Sequence, residues 1–247
     1  MTPESAAPRP VLSVVVPVKN EQDNIAPLVA EITNAVFSLG PYEVVYVNDG
    51  STDRTAAVLT DLCATRPWLR HLRHEVSTGQ SAAVRSGVRA ARADIVCTLD
   101  GDGQNNPAFI PDLYKALVEA GAGAGLVQGQ RVGRKDTGFK RFQSRFANRV
   151  RGAILKDGTR DTGCGLKCFR REAYLSLPYF DAIHRFMPAL MVREGYRVLH
   201  VDVIDRPRLT GVSNYGFFNR LWVGILDLAG VWWLIRRKKP TPAATEV

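Results

Sequence analysis

The sequence predicts an α/β fold, a mostly parallel sheet flanked by helices on both faces. Two observations carry that expectation. Short β-rich runs alternate with helical patterns between residues 11 and 131. Hydrophobic residues make up 45% and charged residues 23%, an ordinary globular balance with enough apolar mass for a sizeable core. At 247 residues the chain suits one large domain with a small appendage.

The elements follow in order. VLSVVVPV (11–18) reads as a strand, and EQDNIAPLVAEITNAVFSLG (21–40) as a helix closed by Gly40. YEVVYVND (42–49) is a second strand. STDRTAAVLTDLCAT (51–65) opens with a polar cap and continues as a helix. LRHLRH (69–74) is a short strand, and GQSAAVRSGVRAA (79–91) a helix of small residues. DIVCTLD (94–100) is a strand, NPAFIPDLYKALVEAG (106–121) a helix started by proline, and GLVQGQR (125–131) a strand.

Several classes are set aside by what the chain lacks. PVKNE follows the first strand where a dinucleotide-binding fold carries GxGxxG, and there is no GxxxxGK[ST]. Cys63, Cys97, Cys164 and Cys168 are too few for a disulfide framework, and no nearby Cys or His completes a zinc set. A reducing compartment follows. MTPESAAPRP has no apolar run of a signal peptide. The net charge is +9, unevenly placed. Residues 131–151 hold eight Lys/Arg and one acid, a net +7, and Arg236–Lys239 add +4, so the remainder carries −2. The expectation is a near-neutral globule with two cationic patches facing anionic partners.

In parallel α/β sheets ligands sit beyond the carboxyl ends of the strands. Pro17–Glu21, Asn48–Asp53, Asp100–Gln104 and Arg131 all fall there. In TLDGDGQNNP, Asp100 and Asp102 stand one residue apart and Gln104 adds a third oxygen. A D-G-D-G string is turn-like in any fold. With Gln104 beside it, the set suits a hard divalent cation, Mg²⁺ or Mn²⁺, with positions left open for phosphate oxygens.

Five segments occur in order: VVVPVKNE, VNDGSTD, STGQSAAVRSGVRAA, LDGDGQNNP and DTGCGLKCFRRE. Together they resemble the family 2 inverting glycosyltransferases of GT-A fold, within them the polyprenyl-phosphate, dolichol-phosphate mannosyltransferase-like branch. The resemblance covers roughly residues 11–215. It implies that Pro17, Asn20 and Glu21 hold the nucleotide base and ribose. It implies that Asp49 reads the base edge and Asp53 supports that loop. Asp100 and Asp102, with Gln104, would be metal ligands, and the ion would stabilise the departing nucleotide. Gln80 stands among the donor-binding positions where many members have Lys. Lys19 and Asn48 also depart from the commoner pattern, which leaves UDP and GDP donors both open. Asp161, Thr162 and Gly163 are implied to line the sugar pocket, and Arg208 to lie near the donor phosphates or the acceptor.

KRFQSRFANRVRGAILK (140–156) reads as an amphipathic helix with an apolar stripe at Phe142, Phe146 and Val150 and a basic stripe at Arg141, Arg145 and Arg149. The resemblance places Arg131 and Arg145 against an acceptor phosphate, a role guanidinium groups suit. A hydroxyl acceptor needs a general base. PYFDAIHRFMPAL offers only Asp181, without an acidic neighbour. A phosphate monoester is already anionic and needs positioning instead, so a polyprenyl-phosphate acceptor is expected. A hydroxyl acceptor on a lipid or polysaccharide, with Asp181 as base, is the rival. His184 and Arg185 read as helix surface. A basic nucleic-acid-binding module over 131–151 is the reading from another class. It is disfavoured because two of its aromatics sit on a core stripe rather than a stacking platform. A non-catalytic membrane scaffold is a third.

FFNRLWVGILDLAGVWWLIRRKK (217–239) is the most apolar stretch. Its uninterrupted part is about 22 Å long as a helix, against a hydrocarbon core of about 30 Å. An in-plane helix anchored by Trp222, Trp232, Trp233 and the basic cluster on an anionic membrane surface fits better than a span. The organisation expected is a flexible 1–10, a catalytic domain over 11–213, a membrane-associated helix over 214–239 and a flexible 240–247. The resemblance puts the chain at the cytoplasmic face of the inner membrane, peripheral or monotopic, with a homo-oligomer left open.

Overall fold

The computed structural model describes residues 8–132, 151–206 and 217–239, with side chains of the last segment from 224 onward. Strands β1 (Leu12–Val18), β2 (Tyr42–Asp49), β3 (Leu69–His74), β4 (Ile95–Thr98) and β5 (Ala124–Arg131) stand where the sequence places them. Two more, β6 (Lys167–Arg170) and β7 (Arg197–Val203), complete a seven-stranded sheet in the order β3-β2-β1-β4-β6-β5-β7. All neighbours are parallel except β6, which runs against both β4 and β5. The sheet is therefore mixed, and the carboxyl ends of β1–β5 and β7 share one edge.

Helices α1 (Gln22–Val36), α2 (Thr55–Ala64), α3 (Gln80–Ala90), α4 (Ile110–Glu119), α5 (Arg171–Leu175), α6 (Ile183–Arg193) and α7 (Phe217–Arg237) are joined by 3₁₀ turns at Phe37–Leu39 and Pro107–Phe109. Residues 151–155 are also helical. The pleat sorts the core into two layers. Leu12, Val14, Val16, Val44, Tyr46 and Val127 face the layer with α1, α2 and α4. Val15, Val45, Val47, Val96, Leu126 and Phe169 face the layer with α3, α5 and α6. Fully burying each such side chain is worth about 1.5–3 kcal/mol, so the parallel strands form the scaffold against which the edge loops are held.

The small residues of α3 have a packing reason. A Cβ on Gly87 would overlap Val15 Cγ1, so this helix lies directly on β1 and β2. That close seat carries the α3 N-terminus, with Gln80, to the strand-end edge. The last helix packs back onto the domain: Val231 is buried, Leu228 and Ile235 join the α6 layer, and Arg193 Nε donates to the Leu234 carbonyl at 3.1 Å. Among the described residues no helix is long and apolar enough to cross a membrane. The alternative of a single span over this stretch finds no support there.

Candidate active site

Two loops meet at the ends of β1 and β2. Asn20, at φ 56, donates its amide to Ser51 Oγ at 2.9 Å, and its Oδ1 accepts from Thr52 N at 2.9 Å. Glu21 N donates to Thr55 Oγ1 at 3.1 Å. Asp53 accepts from Gln22 N at 3.3 Å and Thr55 N at 2.9 Å, which starts α2 and ties it to α1. Burial raises the Asp53 pKa, but hydrogen bonds from Thr55 and Gln22 outweigh it, for a net lowering.

Asp49 is the anchor of the 77–79 loop. Its Oδ1 accepts from Thr78 N at 2.9 Å and from the Thr78 hydroxyl at 3.1 Å, and pairs with His74 Nδ1 at 2.8 Å. Its Oδ2 accepts from Ser77 Oγ at 2.7 Å and Gly79 N at 2.9 Å. Burial opposes ionisation, yet the Thr78 amide, His74, Ser77 and the Gly79 amide hold the pKa down to about 2. Both oxygens are thus engaged in shaping the loop, where the resemblance assigned contact with a base.

Beyond β4 lies the acidic loop. The Asp100 amide donates to Asn105 Oδ1 at 2.9 Å, and Asp102 Oδ1 accepts from Gln104 N at 3.0 Å, closing the turn. Gln80 Nε2 donates to Asp100 Oδ1 at 2.7 Å. Gly165 must be glycine because a Cβ there would overlap Asp100 Oδ2. Burial, then the charge of Asp102, push the Asp100 pKa up to about 6 against the pull of Lys167 and Arg131. Two half-buried carboxylates that repel each other, both hard oxygen donors, fit a divalent cation. No group of three or more His, Cys, Asp or Glu suited to a metal occurs among the described residues. A divalent ion on Asp100 and Asp102 would need further oxygens from elsewhere.

A cavity of about 220 Å³ opens beside Asp100. Pro17, Gln80, Gly163 and Gly165 line it. So do Lys167, His184 and Arg185. His184 corrects the surface reading: it is half-buried and its Nδ1 lies 2.8 Å from Ser81 Oγ, while Arg185 lines the cavity and is exposed. Burial first, then the charges of Lys167 and Arg185, bring the His184 pKa down to about 3, so the imidazole is neutral. Lys167 is only 3% exposed and donates to the Cys164 carbonyl. Burial lowers its pKa, partly opposed by Cys164 and Asp100.

Arg131, at the end of β5, is clasped by two acids. Its Nε and Nη2 donate to the two carboxylate oxygens of Asp161 at 2.6 and 2.8 Å, and Nη1 reaches Asp205 Oδ2 at 3.4 Å. Burial opposes the charge, but the hydrogen bond and charge of Asp161 raise the Arg131 pKa. Asp161 thus braces Arg131 and, unlike Gly163, is not part of the cavity wall; Thr162 is buried. Asp205, unassigned in the sequence, also accepts from Asn105 Nδ2 at 3.2 Å and so joins Arg131 to the acidic loop. Asp181 is exposed, accepts from Ala182 N at 2.8 Å and is not among the cavity-lining residues. Arg145 and Arg208 lie outside the described residues.

Residues 13–177 match the model of the family described as Glycosyl transferase family 2. The chain belongs to that family. Among curated relatives, a dodecaprenyl-phosphate galacturonate synthase of Rhizobium johnstonii is 34% identical over 92% of this chain and 68% of its own length. An undecaprenyl-phosphate 4-deoxy-4-formamido-L-arabinose transferase of Edwardsiella ictaluri is 34% identical over 83% of this chain and 63% of its own. The chain thus spans about two thirds of the length of these relatives. Among solved structures, glucosyl-3-phosphoglycerate synthase of Mycobacterium tuberculosis with Mn²⁺, UDP and glucosyl-3-phosphoglycerate superposes with TM-score 0.64 at 18% identity, over 92% of this chain and 80% of that one. A mannosyltransferase of Pyrobaculum calidifontis with GDP-Man and Mn²⁺ gives 0.67 at 22%, over 96% and 67%. These likenesses establish a GT-A-like fold for this family 2 chain.

Proposed function

We propose that this family 2 chain transfers a sugar from a UDP- or GDP-sugar to a polyprenyl phosphate, with inversion at the anomeric carbon and with Mg²⁺ or Mn²⁺ bound. The observation that carries the reading is the pair Asp100 and Asp102, set between the loops tied by Asn20 and Asp49 and the cavity. Asp100, Asp102 and Gln104 would hold the ion, which when bound offsets the charge of the diphosphate leaving group. Asn20, Glu21 and the Asp49-shaped loop would receive the nucleotide, and Gln80 fixes the orientation of Asp100.

In the reaction an anionic oxygen of the lipid phosphate forms a bond to the sugar C1. The C1–O bond to the nucleoside diphosphate breaks, and its electron pair leaves with the diphosphate oxygen. No proton has to be removed from the nucleophile, so this reaction needs no general base. Arg131 spends three of its five N–H donors on Asp161 and Asp205. Two remain for an acceptor phosphate, presented by a side chain that its acids hold rigid. The names of the two curated relatives point to the same acceptor class.

The last helix suits the lipid substrate. Ile225, Leu226, Trp232 and Trp233 are exposed, Arg236 stacks 4.5 Å from the Trp232 ring centroid, and Arg236–Lys239 follow. We read this as an in-plane helix on an anionic membrane surface. The deciding experiment incubates the chain with UDP- and GDP-sugars, Mn²⁺ and polyprenyl phosphate. Chromatography of the lipid fraction should show polyprenyl-phosphate sugar. Product formed only with a hydroxyl acceptor would refute the reading.

A further inference from the structure

We propose that the cavity beside Asp100 is a subsite for a carboxylate on the transferred sugar, so that the donor is a nucleotide-diphospho-hexuronate. The inference rests on the glycosyl-transfer reading above and adds the class of sugar.

The cavity is small, about 220 Å³, and one flank is apolar, formed by Pro17, Val84 and Met187. Such a wall receives the ring face of a pyranose and gives no preference among sugars. The charges do. Lys167 and Arg185 are basic, Asp100 is acidic, and His184 is held neutral beside Ser81. Lys167 is buried on β6 with 3% of its surface exposed. Among the described residues its one hydrogen bond goes to the Cys164 carbonyl, and an ammonium has three donors. Two therefore remain beside the cavity.

A buried ammonium is stable only with a counter-charge. Asp100 and Asp161 both act on it in the free chain. With the Asp100 carboxylate shared with a divalent ion, Lys167 and Arg185 would face a cavity whose lining, among the described residues, holds no other acid. The hydroxyls of a neutral hexose accept hydrogen bonds but bring no charge. A carboxylate brings both, and it can be approached by Lys167 from the sheet and by Arg185 from the first turn of α6. Charge-assisted bonds of this kind are about twice as strong as neutral ones.

The test uses the full chain with Mn²⁺ and pairs of donors that differ in one group: UDP-glucuronate against UDP-glucose, UDP-galacturonate against UDP-galactose, and GDP-mannuronate against GDP-mannose. Titration calorimetry gives each Kd, and lipid extraction gives transfer to polyprenyl phosphate. In at least one pair the uronate should bind at least tenfold more tightly, and Lys167→Met and Arg185→Gln should each cut that ratio at least fivefold. Arg185 is exposed, so its variant carries the test if Lys167→Met does not fold. A hexose bound as tightly as its uronate and passed to the lipid overturns this inference and leaves glycosyl transfer standing. So does a ratio that neither variant moves. A chain that binds no donor of any pair overturns both.

Discussion

Gln80 Nε2 donates to Asp100 Oδ1 at 2.7 Å, which joins the first turn of α3 to the acidic loop after β4. The bond fixes one carboxylate oxygen and leaves the other to a cation. Outer partners of metal ligands are worth about 10–100-fold in metal affinity. Gln80→Ala should therefore raise the Mn²⁺ concentration for half-maximal donor binding about tenfold, read by calorimetry, with the thermal midpoint little changed.

Asp100 trades stability for function. Its carboxylate is buried beside the charge of Asp102. Asp100→Asn removes that repulsion and keeps the size and the contact with Gln80. The metal-free variant should melt a few degrees higher than the native chain, since about 1 kcal/mol moves the midpoint of a chain this long by roughly 2–4 °C. Mn²⁺-dependent transfer should fall by about 10³-fold. Differential scanning fluorimetry with and without Mn²⁺ reads the first effect, and an initial-rate assay the second.

His184 gives a pH dependence whose sign is fixed. Its folded pKa, about 3, lies below the ordinary 6.5, so the unfolded chain binds the proton first. Its contribution is complete above pH 6.5 and is lost progressively as pH falls toward 3. Asp49, held at about 2, adds a loss only below the ordinary carboxylate range. Between pH 7 and pH 5 the Asp100 carboxyl, raised to about 6, works in the opposite sense, so the test is a difference: the urea midpoint of the native chain should drop relative to that of His184→Gln as the pH is lowered.

Arg131 and its acids separate binding from transfer. Arg131→Ala should leave the donor Kd within about threefold while transfer to polyprenyl phosphate drops by at least about 10²-fold. Asp161→Ala strands the half-buried guanidinium on Asp205 alone and should cost roughly 1–3 kcal/mol in denaturant titration.

At the membrane, Trp232→Ala with Trp233→Ala should reduce co-sedimentation with vesicles rich in anionic lipid at least about tenfold, given the area these rings offer. Raised salt should weaken binding of the native chain as the Arg236–Lys239 cluster is screened.

Strands β1, β2, β4 and β5 were legible because each is an almost wholly buried run. β6 was not: four residues, Lys167–Arg170, carry a lysine and an arginine at their ends and are held by cross-strand pairing with β4 and β5. β7 is half-exposed along most of its length, and its pairing with β5 rather than its composition makes it a strand. The acidic pair could be read because both carboxylates lie in one loop. The clasp of Arg131 by Asp161 and Asp205 could not, since its members are 30 and 74 residues apart and only the fold joins them. His184 and Arg185 read as surface because nothing local in the sequence shows what packs against them. The cavity that gives them a role is closed by residues from five separate segments, among them Pro17, Gln80, Asp100 and Gly165.

Donor binding by the native chain and by Asp102→Asn, titrated by calorimetry with UDP- and GDP-sugars in Mn²⁺ and again in excess chelator, bears most directly on the central claim. A bound ion shared by Asp100, Asp102 and the donor diphosphate predicts tight binding for the native chain in Mn²⁺ and a loss of at least about tenfold on chelation or substitution. Equal affinity in all three conditions would contradict it.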